Sequence, residues 1–428
     1  MQGNNLQKNE IIEGNLGEYK AIEQISQGMF ARSWRGKCVI TYDPSEVVEG
    51  DKVFIKYYVN PLKDDENYKS FVKHQEEIKK ALEQIIPRTI VENNYDFFEY
   101  EDFYFQVKEF IDGKSLKEHM LDNEGNIILD FETGFKFAYQ IMGCIKKLHE
   151  NDIIHCDFKP EQILVEVDND TDTGYHLIIN DFDWSICKNS IPYQIVDTDK
   201  YKSPESFRKN IRENISKKTD IYVCGIILYY LLLHSYPYKS DDIESEKINY
   251  KIDKPKDLWP QLFENGKEDM VHLGEIMEKM LNPDPKLRPN AEEVHLSLKK
   301  ALNAHKIIEF PDLIKNTYIK LTCNENTHYI WKKKEKITRE LCKQVFGKYQ
   351  QIYKKQFSIN KGSEETWYIT GESVPKTYTS SKTGKTFNFY NTELNGKDVT
   401  NEFVELSDGD VISVGDTIFN VNIEERED

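Results

Sequence analysis

The chain has 428 residues and carries 74 Asp and Glu against 57 Lys and Arg, a formal net charge of −17. That charge excludes nucleic acid as the principal partner, because phosphate binding needs a basic surface, and 39% hydrophobic with 12% aromatic residues implies folding rather than disorder. The longest apolar run, Ile221 to Leu233, falls short of the roughly 18–20 uncharged residues of a membrane span, so no membrane partner is expected.

The length implies two or three domains. Seven scattered cysteines without a C-x-x-C pair fit free thiols in a reducing compartment. The first ten residues lack the charged-then-apolar form of a secretory signal, so a cytoplasmic protein is expected. In chain order, residues 1–17 read as a polar tail that should fray. Tyr19 to Lys37 alternates as a strand, turns at Gly28 and returns as a strand. Such a turn either lays its backbone over a polyphosphate or closes a bare hairpin. Asp51 to Tyr58 reads as a strand with Lys56 among apolar neighbours, and Tyr68 to Ile86 as a helix carrying Glu76 and Glu77. Ile90 to Phe110 holds two β-rich runs. Ser115 suits the cap of a helix opening at Lys117, and Phe131 to Glu150 has the apolar spacing of a core helix.

Ile153 to Trp184 is the chemically loaded stretch. It holds two short β-branched runs, each delivering a carboxylate where strand pairing stops, Asp157 after the first and Asp181 after the second. Lys159 and the amide of Gln162 lie between them. One carboxylate to orient a hydroxyl, one to hold a metal and a lysine against phosphate charge equip a phosphoryl-transfer site. Asp220 opens the apolar run that follows, as a helix cap or as a tie to the catalytic-loop backbone.

These residues resemble the eukaryotic-type (Hanks-type) Ser/Thr protein kinase family, with its H-R-D-L-x-x-x-N and D-F-G motifs. Further landmarks follow in order. Ser26, Gly28 and Ala31 occupy the glycine-rich-loop positions, and Lys56 the V-A-I-K lysine with Glu77 as its helix partner (Glu76 the runner-up). Glu109 to Ile111 resembles the hinge, Thr198 and Tyr201 the end of the activation segment, Glu205 the A-P-E glutamate, and Arg288 its ion-pair partner. The resemblance implies an α+β bilobal protein-kinase fold over residues 18–305, with a small lobe 18–111 and a large lobe 112–305. It further implies that ATP meets Ser26, Gly28, Ala31, Lys56, Glu109 and Ile111. Asp157 and Lys159 are then catalytic, and Mg²⁺ or Mn²⁺ falls to Asp181 and Gln162, with Asp183 a further ligand or a repulsive neighbour. Protein hydroxyls are the implied substrates.

Several positions depart from the family pattern. Cys156 replaces the arginine that reads a phosphorylated activation loop, Gln162 the asparagine that binds metal, and Asp183 the D-F-G glycine. Lys108 stands at the gatekeeper, with Phe54 and Ser33 altering the roof of the base pocket. A pseudokinase scaffold that binds phosphoproteins without phosphoryl transfer is the alternative, although a scaffold has no need of Asp157 and Lys159.

After a linker at 306–316 the texture changes. Residues 317–424 carry short strand-like runs at sandwich spacing, with turn signals at Asn395-Gly396 and Asp408-Gly409. The tail resembles the last strands of a forkhead-associated (FHA) domain, which implies an all-β sandwich that reads phosphothreonine or docks partners. By that resemblance Arg339, Lys354 and Asn391 would face a phosphopeptide, and self-association through this domain is a further implication.

Overall fold

A computed structural model describes residues 6–425, other than 29–30, 45, 60–65, 86–89, 102, 123, 125–127, 169–172, 193–199, 208–213, 240–241, 261–262, 264–266, 305–316, 331–333, 348–350, 354, 362–365, 375, 380–383 and 385. The chain divides into two units. One comprises Met1–Lys63, Asn93–Phe110 and Pro311–Asp428, the other Asp64–Glu92 and Ile111–Phe310. The helix expected near 68–86 lies in the second unit.

The first unit opens with an antiparallel sheet in the order β1-β2-β3-β4-β6-β5. Its strands are β1 (Ile11–Glu13), β2 (Gly17–Gln27), β3 (Ala31–Thr41), β4 (Lys52–Tyr58), β5 (Asn94–Tyr100) and β6 (Phe103–Glu109). Alternation turns Tyr19, Ala21, Val53, Ile55, Tyr57, Phe105 and Val107 into one core. The expected frayed tail is corrected here: Ile11–Glu13 pairs with Glu18 to Lys20 of β2, and Leu6 and Ile12 are buried in that same core. Two well-placed apolar side chains outweigh a polar sequence context, since burying each is worth about 1.5–3 kcal/mol. Asp96 anchors the turn after β1, accepting from Leu16 N (2.8 Å) and Tyr19 Oη (3.1 Å). Gly14 makes this approach possible, because a Cβ there would lie 2.5 Å from Asp96 Oδ2.

The second unit is mainly helical. It contains α1 (Glu66–Leu82), a small sheet of β7 (Lys114–Ser115), β8 (Ile163–Val167) and β9 (Tyr175–Ile179), and the helices α2 (Leu116–Met120) and α3 (Phe131–Glu150). It continues with α4 (Lys217–Leu233), α5 (Ile243–Ile248), α6 (Pro255–Leu258), α7 (Glu268–Met280) and α8 (Ala291–Ala304). Ser115 caps α2 in a reciprocal box with Glu118, and Asp130 caps α3 by accepting from Thr133 N at 2.9 Å. Phe135, Ala138, Ile141, Met142, Ile145 and Leu148 of α3 recur at helical spacing and join one core with α4, α7 and α8. α4 is apolar through most of its length and buried nearly throughout, at the centre of this core. No helix among the described residues is long and apolar enough to cross a membrane.

Residues 317–425 build two facing sheets. One runs β11-β10-β21-β20-β17-β18 and the other β12-β13-β14-β19. The strands are β10 (Thr317–Cys323), β11 (Asn326–Ile330), β12 (Lys334–Thr338), β13 (Lys355–Lys361), β14 (Trp367–Gly371), β15 (Thr377–Thr379), β16 (Thr386–Asn388), β17 (Glu393–Leu394), β18 (Lys397–Asp398), β19 (Val404–Leu406), β20 (Val411–Val414) and β21 (Thr417–Glu425). A short turn of helix, α9 (Arg339–Leu341), follows β12. Asn395 and Gly396, both at positive φ, close the β17–β18 hairpin. Phe346, Phe357 and Phe419 meet at ring separations of 5.2 and 5.7 Å, and with the fully buried Trp367 they fill the interior. The described cysteines form no disulfide and are buried.

One histidine in the helical unit makes stability depend on pH. His295 of α8 stacks on Tyr139 of α3 with ring centroids 4.4 Å apart. Burial, aided by the Lys146 charge and opposed by Glu292, lowers its pKa to about 4. Between pH 4 and the unfolded value near 6.5 the unfolded chain binds more protons, so stability rises with pH across that window. Taking the protein from pH 7 to pH 5 should cost about 2 kcal/mol through this group. His295→Phe, which keeps the stack, should remove that part of the slope in denaturant melts at the two pH values.

Candidate active site

The site is built on the β8–β9 hairpin and the loops at its ends. Ile163 pairs with Ile179 at the open end, which sets Gln162 beside Asn180, and Asn180 N donates to Gln162 O at 3.0 Å. Upstream, Ile154 and Ile186 exchange backbone bonds of 2.8 and 2.9 Å. Ser185 Oγ donates to His155 O at 3.2 Å, and His155 Nε2 lies 3.0 Å from Asn180 O. The loop carrying Asp157 and the loop carrying Asp181 are therefore laced together at four points.

Asp220 supports this lacing from below. Fully buried in the first turn of α4, it accepts from His155 N (2.9 Å) and Cys156 N (3.1 Å) and lies 2.9 Å from His149 Nε2. Cys156 needs such support. Its φ is +69°, a left-handed conformation unfavourable for a residue with a Cβ. Asp181 is also left-handed, at +63°.

Within this frame Asp157 is 7% exposed and Lys159 Nζ donates to its Oδ2 at 2.7 Å. Gln162 Nε2 lies 3.2 Å from both Asp157 Oδ2 and Asp181 Oδ2 and so bridges the two carboxylates. The other end of the same amide, Oε1, is buried and has no hydrogen-bond partner among the described residues. A buried orphan oxygen beside two carboxylates fits a divalent cation, which prefers oxygen ligands. Asp157, Asp181 and Gln162 are thus brought together. Asp183 is 7% exposed, and its carbonyl accepts from Gln75 Nε2 at 2.8 Å.

α1 carries Glu77 and, on its buried face, Gln75. Glu77 lies on a partly exposed flank, where Lys80 Nζ meets its carboxylate at 2.7 Å. The buried face of α1 carries Phe71, Val72, His74, Gln75, Ile78 and Leu82. His74 Nδ1 lies 2.7 Å from Ser190 Oγ, and burial lowers the pKa of its ring. Helical spacing alone would have singled out Gln75, in register with Phe71, Ile78 and Leu82.

Lys56 belongs to the first unit. It lies on β4 opposite Ser33 and Gln106, 8% exposed, with Nζ 5.6 Å from the Tyr58 ring. Ser26 pairs with Ser33 across the β2–β3 hairpin, and Gly28 N donates to Ala31 O at 2.9 Å to close the turn. Glu109 N is taken by Asn93 O at 2.8 Å, Lys108 is 3% exposed, and Ile111 is half-buried. Glu205 and Arg288 form a buried bidentate pair with both bonds at 2.7 Å, joined by Thr219 Oγ1 at 2.9 Å. Tyr201 is held by burial above the usual phenol range, with Glu161 adding to the effect. Thr198 and Lys354 lie outside the described residues. In the sandwich, Arg339 is 8% exposed and Asn391 Nδ2 donates to Asp398 Oδ2 at 2.6 Å.

The chain belongs to the protein kinase domain family: the family model matches residues 35–298, more than half of its length. The mixed strand and helix content of that region fits the fold. Over 208 residues the chain is 27% identical to the ovarian-specific serine/threonine-protein kinase Lok of Drosophila melanogaster, covering 47% of this chain and 40% of Lok. It is 28% identical over 226 residues to the serine/threonine-protein kinase PrkC of Bacillus subtilis, covering 50% of this chain and 32% of PrkC. It is 25% identical over 283 residues to the serine/threonine-protein kinase PknD of Chlamydia felis, covering 61% and 29%. The matched region is less than half the length of each of these relatives.

Asp220→Asn tests the support beneath the loop. The amide keeps one acceptor but turns an NH₂ towards donors, leaving a buried N–H unsatisfied, which costs about 1–3 kcal/mol. The variant should lose that much stability in chemical denaturation.

Proposed function

We propose that this chain transfers the γ-phosphoryl group of ATP to serine or threonine hydroxyls of protein substrates. The observation that carries the reading is the Asp157 cluster: a nearly buried carboxylate, a lysine 2.7 Å from it, and an amide joining it to Asp181. Phosphoryl transfer asks little covalent chemistry of a protein and much positioning and charge stabilisation. In this reading Asp157 accepts the hydroxyl proton as the substrate oxygen bonds to the γ-phosphorus. The bond from that phosphorus to the β-bridging oxygen breaks, and ADP leaves. Lys159 offsets charge on the transferring group. Asp181 and Gln162, with Asp183 close by in sequence, would hold Mg²⁺ or Mn²⁺, which when bound neutralises phosphate charge. Lys56 and the β2–β3 turn with Ser26, Gly28 and Ala31 are assigned to the phosphates, and Glu109 and Ile111 to the base. The kinase domain is assigned to residues 18–305.

Asp157→Ala should lower ATP-dependent phosphate incorporation at least a thousandfold while leaving the unfolding midpoint near that of the wild type. Intact-mass analysis of the protein and of a generic protein acceptor checks this. A wild type that adds no phosphate to either, and shows no nucleotide-induced thermal shift, removes the enzyme reading in favour of a phosphoprotein-binding scaffold.

We further propose that residues 317–424 form an FHA-like docking domain that reads phosphothreonine. The two-sheet sandwich supports it, as does the bracing of two loops at one end. There the buried Gln356 accepts from Tyr353 N (2.8 Å) and donates to Tyr390 O (2.9 Å) and Thr392 Oγ1 (3.1 Å). Arg339 is assigned to the phosphate, and Lys354 and Asn391 to the same peptide. Arg339→Ala should weaken phosphothreonine-peptide binding by at least tenfold in calorimetry, and failure of the wild type to discriminate phosphorylated from plain peptides rules the assignment out.

A further inference from the structure

Three contacts made by one face of α1 fall on one segment of the active site. The Phe71 ring is 5.5 Å from that of Trp184, Gln75 Nε2 donates to Asp183 O at 2.8 Å, and His74 Nδ1 meets Ser190 Oγ at 2.7 Å. The segment begins two residues after Asp181, whose left-handed backbone persists only if the surroundings over-determine it. On one side of Asp181 the chain is fixed through Asn180, which bonds to Gln162 O and His155. On the other side a bond comes from Gln75, a side chain 3% exposed and therefore committed to this contact.

We propose that Gln75 is a positioning residue for Asp181: its amide clamps the Asp183 carbonyl and so holds the turn that presents the Asp181 carboxylate to a divalent cation. The inference rests on the proposed metal-holding role of Asp181. An amide suits this place where a carboxylate does not. Ionised Glu has no proton to donate to a carbonyl, and it would add negative charge to a loop that already carries Asp181 and Asp183. Gln75 therefore acts as a neutral donor, shaping the acidic loop without contributing to its charge.

The test uses the full chain, Mn²⁺ as the probe, and a fixed concentration of ATP. Gln75→Leu keeps the apolar packing of α1 and removes the donor. It should unfold cooperatively near the wild-type midpoint without metal, yet need about tenfold more Mn²⁺ for the half-maximal thermal shift. The KM for ATP at saturating metal should stay unchanged. Asp181→Asn, run in parallel, should abolish the Mn²⁺-dependent shift. If Asp181→Asn loses the shift and Gln75→Leu titrates like the wild type, the positioning role is wrong while the site stands. If Asp181→Asn keeps the full shift, the underlying assignment of the metal fails. Gln75→Met, a donor-free side chain of similar length, is read in the same way should Gln75→Leu not fold. If neither folds, Gln75 is a requirement of the core and the proposal is overturned.

Discussion

The Asp220 carboxylate is the constraint on which the rest of the site depends. An ionised group at 0% exposure costs several kcal/mol unless its lone pairs are filled. Here two consecutive backbone N–H groups and the His149 ring fill them. The arrangement works in both directions. The donors make the buried charge tolerable, and the charge makes the left-handed turn at Cys156 tolerable, because hydrogen bonds to a charged acceptor are about twice as strong as neutral ones. Asp220 is rigid because α4 is buried on all sides, so the loop before Asp157 takes its geometry from the hydrophobic core.

A second buried charge fixes the other edge of the same unit. Arg288 and Glu205 are almost fully enclosed, and the arginine also donates to the carbonyls of Lys218 (2.8 Å) and Asn282 (2.7 Å). The segment at Pro204–Phe207 is thereby tied to the start of α4, the same turn that holds Asp220. Breaking such a pair by removing one partner costs about 3–5 kcal/mol, because the survivor is left buried and uncompensated. Both anchors converge on the first turn of α4, so the loop before Asp157 and the segment at Pro204–Phe207 share one foundation.

How much of this was legible in the sequence depended on whether the signal was local. α3 was readable to the residue, because a capping Asp130 and an uninterrupted apolar stripe are both short-range features. The strands of the sandwich were readable from their turns, Asn395-Gly396 above all. The strand at Ile11–Glu13 was not, since its stability comes from pairing with β2 and from a core that no local pattern displays. The ring of His149 on Asp220 was also hidden: the two are 71 positions apart, and a histidine near a helix end has no periodic signature. On α1 two signals diverge: helical spacing puts Gln75 in register with Phe71, Ile78 and Leu82, whereas resemblance to the family's helix glutamate points to Glu77.

Gln75 and Gln162 solve one electrostatic problem in two places. Two carboxylates about 5–6 Å apart repel by ~3 kcal/mol at an effective dielectric of 20, and the loops here carry Asp157, Asp181 and Asp183 on a chain of net charge −17. Lys159 offsets part of this at Asp157. The rest of the holding is done by amide N–H groups, Gln162 between Asp157 and Asp181 and Gln75 on the carbonyl of Asp183. Each amide supplies a donor without adding a charge that would have to be displaced when a cation arrives. For Gln162 the same group has an oxygen at its other end, so in the proposed reading a half-turn of one side chain would bring that oxygen to the cation held by Asp181. Gln162, which stands where the family has its metal-binding asparagine, thus offers a donor to the carboxylates and, in the proposed reading, an oxygen to the cation.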